Sequence, residues 1–157
     1  MIDSFRGEYA FLSNFHPCGI TLDGIYWETV EHYYQASKTL DKQERLFIAN
    51  CIDSPGGAKR YGRSLKIRSD WEEVKEGVML TGLREKFKIP SLRKKLIATG
   101  SELLVEGNWW HDNYWGNCTC PRCSKIKGKN RLGVLIMVVR EEIFGEEIRK
   151  EILYGKE

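Results

Sequence analysis

Apolar and polar positions along this chain change period several times, and the changes mark out its elements. Residues 19–27, GITLDGIYW, place an Asp-Gly pair between two short β-type runs and predict a hairpin. Thr29 is then positioned to cap a helix running from Val30 to about Leu40. A second helix is expected over 42–51, KQERLFIANC, with DSPGG at 53–57 acting as the breaker behind it. AKRYGRSL (58–65) reads as a short helix. Ser69 is placed to cap a longer one over 70–87, in which Trp71, Val74, Val78 and Leu83 keep roughly helical spacing. Pro90 and Ser91 open another helix, LRKKLIAT, which Gly100 ends. ELLVEG (102–107) has the look of a strand. RLGVLIMVVREEIF (131–144) is apolar all round at its centre, so its period does not decide between strand and helix; its length and the Glu pair favour a buried helix. Together these segments predict a mainly helical α+β fold with a small β-sheet or hairpin.

Composition narrows the class further. The chain has 157 residues, 41% of them hydrophobic, which suits one sizeable core and predicts a single domain over 1–157. The longest apolar run, 134–139, is far too short for a membrane span. The N-terminal MIDSFRGEYAF has neither a basic start nor an apolar h-region, so no secretion signal is expected. Five cysteines, three of them within 118–123, do not match an extracellular disulfide framework. A cytoplasmic protein with no membrane partner is the expectation. The net charge of +3 favours anionic ligands without requiring a nucleic-acid groove.

Four stretches carry candidate chemistry. In VEHYYQASK (30–38), Glu31, Gln35 and Lys38 fall on one side of a helix: counted at about 100° per residue, Lys38 lies about 20° from Glu31 and Gln35 about 40° to the other side. This stripe borders the aromatic side centred on Tyr33 and Tyr34 instead of opposing it. Spacing alone leaves two readings open, a charged face that suits the helix dipole or an acid and an amine lining a pocket. NWWHDNYWGN (108–117) gathers Trp109, Trp110, His111, Asp112, Tyr114 and Trp115 in a segment without helical or strand period. Aromatic faces beside an aspartate suit a flat base and a ribose, or else they plug the core beneath a loop. KIKGKNRLG (125–133) sets Lys125, Lys127, Lys129 and Arg131 around Gly128, with Asn130 as a candidate cap; it is either an anion site at a helix start or a solvated basic loop. Its glycine spacing is not that of a P-loop. Finally, CTCPRC supplies Cys118, Cys120 and Cys123, candidate zinc ligands with His111, Cys18 or Cys51 as a fourth, or reduced thiols in a surface insert. His16 and His32 read as ordinary hydrogen-bonded histidines.

The motifs FRGEYAFLSNF, VEHYYQASK, SP at 54–55 with GR at 62–63, WEEVKEGVM, LREKF, DNYWG and GKNRLG, in this order and spacing, resemble the NADAR family, also called YbiA-like, over about 5–142. The resemblance implies a single, mainly helical α+β domain and an N-glycosidase that cleaves between a ribose C1 and a base nitrogen. It also implies one of two substrate classes: ADP-ribosylated guanine in DNA or RNA, or ribosylamino-pyrimidine phosphates of riboflavin biosynthesis. By resemblance, Glu31 and Lys38 match the family's acid/base and lysine positions. Asp112, Trp115 and Gly116 match its DxxWG, Asn130 and Gly133 its GKNRLG, and Phe5, Arg6, Gly7 and Asn14 its N-terminal pocket motif.

In that picture Trp109, Tyr114 and Trp115 offer stacking surfaces, Asp112 binds ribose hydroxyls, and Arg6, Lys129 and Arg131 meet phosphates. Lys38 as a neutral amine captures the opened sugar as a Schiff base, which requires a lowered pKa. No cofactor is required for that chemistry. The expected departure from the family is NCTCPRCSKIK (117–127), between two site motifs. Two readings of other classes compete: a module that binds ADP-ribose or NAD without cleaving it, and a small zinc-dependent nucleic-acid-binding domain.

Overall fold

The short helix α1 (Val30–Ala36) is the hub of the molecule, and every one of its residues is buried. The computed structural model describes residues 1–155. Thr29 caps α1 as expected: its hydroxyl oxygen accepts from the His32 N–H at 3.1 Å. The His32 ring then locks the cap. Its Nε2 lies 2.9 Å from the Ile52 carbonyl, which only accepts, so the proton is on Nε2 and Nδ1 accepts from the Thr29 hydroxyl at 2.7 Å.

Around α1 pack α2 (Lys42–Cys51), α3 (Pro55–Gly62) and α4 (Trp71–Lys86). α5 (Pro90–Ala98) and the long α6 (Arg131–Tyr154) complete the helical body, α6 lying on both α4 and α5. The hairpin appears where the Asp-Gly pair places it. β1 (Ile20–Leu22) pairs antiparallel with β2 (Ile25–Trp27), Ile20 opposite Trp27, and Asp23 and Gly24 take the positive φ values (56° and 72°) that such a turn needs. Its Trp27 is buried against Tyr33 of α1 at 5.8 Å between ring centroids. The core is one continuous apolar cluster drawn from all of these elements.

The structure corrects four boundaries. α1 ends at Ala36 instead of near Leu40, so Lys38 lies just beyond the helix. DSPGG lies behind the end of α2 at Cys51, as expected, but it also starts the next helix. Ser54 accepts from the Gly57 N–H at 3.0 Å and Pro55 stands in the first turn of α3, where its missing N–H costs nothing. α4 is entered through Asp70, not Ser69, and Asp70 binds Arg68 at 2.6 Å without capping the helix. ELLVEG is not a regular strand: Leu104 makes a single parallel bridge to Ile2, and the pairing that follows is the two-residue β3 (Gly107–Asn108) alongside β4 (Asn117–Cys118). The 131–144 segment is helical and continues to Tyr154.

Candidate active site

Four separate parts of the chain converge on one pocket of ≈ 390 Å³. The N-terminal segment contributes Phe5, Arg6, Asn14 and Phe15. α1 contributes Glu31, Tyr34 and Gln35, with Lys38 immediately after it. Lys59 comes from α3, Glu106 from the stretch before β3, and Trp110, Asp112 and Trp115 from the loop between β3 and β4. The Glu31–Gln35–Lys38 stripe is therefore not a solvated helix face. Glu31 is only 7% exposed and Gln35 3%.

Burial sets the electrostatics. Glu31 accepts a hydrogen bond from the Gln35 amide at 2.8 Å, not from Lys38. Its carboxyl is held above the ordinary range by burial and by Asp112, against the pull of Gln35, Lys59 and Lys38. Lys38 is held below its ordinary 10.5 chiefly by burial, with Lys59 and Arg63 acting the same way and Glu31 opposing. At Lys38 burial therefore outweighs the opposing pull of Glu31. Lys38 Nζ sits 5.7 Å from the centre of the Tyr34 ring. That ring in turn meets Trp115 edge-on, and its hydroxyl accepts from the Trp115 indole at 3.1 Å.

Glu106 is the site residue that pattern reading overlooked. Burial pushes its carboxyl up to about 8; Asp112 and Glu31 add to this, while Lys59 and Arg6 resist it. Asn130 holds the backbone there. Its side-chain oxygen accepts from the Glu106 N–H at 2.9 Å and its amide donates to the Leu104 carbonyl at 2.8 Å. This replaces the expected capping role: Asn130 is left-handed (φ 50°) and its side chain caps nothing. Gly116 lies so close to the Glu106 carbonyl and carboxylate that a Cβ there would collide with both. Gly133 lets α6 approach the Leu104 carbonyl in the same manner. Both glycines support the site without lining it.

The remaining expected residues divide as follows. Phe5, Arg6, Asn14, Asp112 and Trp115 line the pocket. One oxygen of Asp112 accepts from the Tyr114 and Trp115 N–H groups at 3.1 and 2.9 Å, which fixes the loop. Gly7 does not line the pocket; its φ of 58° turns the chain into a 3-10 turn over Gly7–Leu12. Trp109 is exposed and covered by the Arg6 guanidinium at 3.8 Å, while its neighbour Trp110 faces the pocket. Tyr114 points away, donating to Glu76 at 2.6 Å, and Arg131 binds the same carboxylate at 2.7 Å. Lys129 lies 5.4 Å over the outer face of Tyr114. The start of α6 offers no anion cradle either, since the N–H groups of residues 129–132 donate to the carbonyls of 113, 116, 114 and 115. The basic residues that line the pocket are instead Arg6, Lys38 and Lys59, and Lys59 is joined by Arg60 and Arg63 of α3 and its end. Lys59, Arg60 and Arg63 line an adjoining groove that shares Phe15, Trp110 and Asp112 with the pocket.

Beside this rim, His111, Cys118, Cys120 and Cys123 come together in a cluster able to hold a metal ion. Cys18 and Cys51 lie outside it.

Comparison with known proteins identifies the family and agrees with the fold. Residues 4–144 match the NADAR domain model. The chain is 44% identical over 143 residues to N-glycosidase YbiA of Escherichia coli (strain K12), covering 89% of this chain and 85% of that one. It is 40% identical to N-glycosidase Npun_R5314 of Nostoc punctiforme over 86% of both chains. It is 37% identical to a riboflavin biosynthesis protein of Vibrio vulnificus, but over only 36% of that longer chain. The NMR structure of E. coli YbiA superposes with a TM-score of 0.79 at 41% identity, covering 94% of this chain and 89% of the other. With a pocket assembled from the motifs that define the resemblance and a family match across most of its length, this chain belongs to the NADAR family.

Proposed function

We propose that this protein is an N-glycosidase that removes ADP-ribose from ADP-ribosylated guanine in nucleic acid. One observation carries the reading. Among the described residues, four buried side-chain polar atoms lack a hydrogen-bond partner, and three of them belong to pocket-lining residues: Asn14 Oδ1, Gln35 Oε1 and Glu106 Oε2. Buried polar atoms without partners are costly, and three on residues that line one cavity suit a ligand whose groups both donate and accept, such as ribose hydroxyls.

The chemistry follows from the charges. Glu106 keeps its proton at neutral pH and gives it to the ring oxygen as the ribose opens at C1–O4′, leaving an iminium between C1 and the base nitrogen. Lys38, with its lowered pKa, adds as a neutral amine to C1. Glu31 relays the amine proton to the base nitrogen, which departs with the electrons of its bond to C1. Water then hydrolyses the lysine Schiff base, the sugar recloses, and Glu106 recovers its proton. Every step uses only the chain's own groups and water.

The groove beyond the pocket supports the larger substrate. Phe15 and Trp110 are exposed aromatics at the shared rim, and Lys59, Arg60 and Arg63 suit a pyrophosphate that links the ribose to an adenosine. A second reading rests on the riboflavin biosynthesis proteins among the relatives: the substrate is then a ribosylamino-pyrimidine phosphate, with the same bond broken. The test is a mass-spectrometric turnover assay on ADP-ribosylated guanosine in a short oligonucleotide. Wild type is expected to release ADP-ribose and restore guanine, while Glu31→Gln and Lys38→Ala do neither. Turnover of the ribosylamine phosphate alone by wild type would overturn the choice of substrate, and turnover of neither would overturn the activity.

A further inference from the structure

We propose that His111, Cys118, Cys120 and Cys123 form a structural zinc site that holds the Trp110–Asp112 segment against the pocket. The three thiols come from one short stretch: Cys118 ends β4, Cys120 follows it, and Cys123 closes a 3-10 turn over Pro121–Cys123. His111 reaches them from the opposite side of the loop, a partnership that sequence spacing left undecided between it and two other cysteines. The four ligand atoms lie within 4.8 Å of one another. From His111 Nδ1 the sulfurs of Cys120, Cys123 and Cys118 stand at 3.3, 3.4 and 3.9 Å. A tetrahedral zinc with bonds of ~2.3 Å to sulfur and ~2.0 Å to nitrogen places nitrogen and sulfur about 3.5 Å apart. The observed distances bracket that value, so an ion fits the centre with only small shifts of the side chains.

The donor set selects the metal and its role. Thiolates with one imidazole favour zinc over the hard cations, which prefer oxygen. Four protein ligands close the tetrahedron and leave no position for water or substrate, which marks a structural ion and not a catalytic one. The His111 N–H donates to Cys118 Sγ at 3.3 Å, the kind of bond that supports a ligating thiolate. His111 also adopts a left-handed backbone (φ 69°), which costs a non-glycine residue energy and requires an anchor. A metal bond at its ring supplies one. Its two sequence neighbours are the pocket residues Trp110 and Asp112, so the anchor fixes how both are presented.

The experiment needs no substrate. Metal analysis of the protein purified under reducing conditions is expected to find about one zinc per chain, with none in Cys123→Ser or Cys120→Ser. Cobalt added to the zinc-stripped wild type is expected to give thiolate charge-transfer bands and tetrahedral d–d absorption, a readout that does not rely on any variant folding. Reduced wild type that carries no zinc and binds neither zinc nor cobalt would overturn the site, as would a disulfide within the cluster. Amide exchange of residues 109–112 is expected to accelerate at least tenfold on zinc removal while that of α4 stays unchanged. Unchanged exchange at 109–112 would overturn the anchoring role.

Discussion

Replacing Glu106 with glutamine removes a titrating carboxyl while keeping its shape, and its effect should depend steeply on pH. In the folded protein burial holds this carboxyl up to about 8, against an ordinary 4.5. A raised carboxyl pKa means that the folded state binds a proton more tightly than the unfolded chain does. Its contribution is therefore fully present below about pH 4.5 and is lost as pH rises through 8. At about 1.4 kcal/mol per tenfold change, the wild type loses about 4 kcal/mol between pH 5 and pH 9 through this group. Glu106→Gln is spared that loss. The assay is urea unfolding of both proteins across this range, compared as a difference so that Glu31 and the surface carboxylates cancel. The variant's advantage should grow by about 4 kcal/mol from pH 5 to pH 9, or about 10 °C in melting temperature for a chain of this size. Adding Asp112→Asn should shrink the growth, because Asp112 contributes to raising Glu106. Parallel stability curves for wild type and variant would refute the reasoning, since they would mean that water or a counter-charge leaves Glu106 ionised in the folded protein.

Further outcomes can be checked separately. Borohydride added during turnover should fix the sugar to Lys38 in wild type and leave Lys38→Arg unlabelled, as read by peptide mass spectrometry. Lys86 is fully buried, held at about 7 by burial, and donates to the Ser13 carbonyl at 2.8 Å. Its lowered pKa destabilises the fold most below pH 7 and is relieved towards 10.5, so the stabilising effect of Lys86→Met should be about 4 kcal/mol larger at pH 6 than at pH 10 in denaturant titrations. Gly116→Ala should lower both melting temperature and turnover, because its Cβ meets the Glu106 carbonyl and carboxylate. Arg60→Ala should raise KM for an ADP-ribosyl substrate severalfold with little change in kcat, since it lies in the groove and not at the reacting carbon.

What was legible in the sequence was local. Thr29 capping α1 and Asp23-Gly24 turning the hairpin depend on residues within a few positions of each other, and both form as predicted. The motif order identified the family, and with it Glu31, Lys38 and Asp112 as pocket residues. The helix start in DSPGG was missed because Ser-Pro serves a helix start as well as a chain break, and the choice depends on where α3 packs. The long-range facts were out of reach. ELLVEG looked like a strand, yet its Glu106 faces a pocket only because Asn130 ties that backbone to the start of α6. Arg131 and Tyr114 read as ligand groups until the fold placed Glu76 between them. Lys59, Arg60 and Arg63 read only as part of a short helix until α3 docked beside Trp110. Sequence by itself determined which segments turn and coil, because those choices are settled largely by neighbouring side chains and backbone groups. Only tertiary structure decided which charges are buried and against what, and it is this desolvation, a property of no single segment, that pushes Glu31 and Glu106 up and Lys38 down from their ordinary ranges.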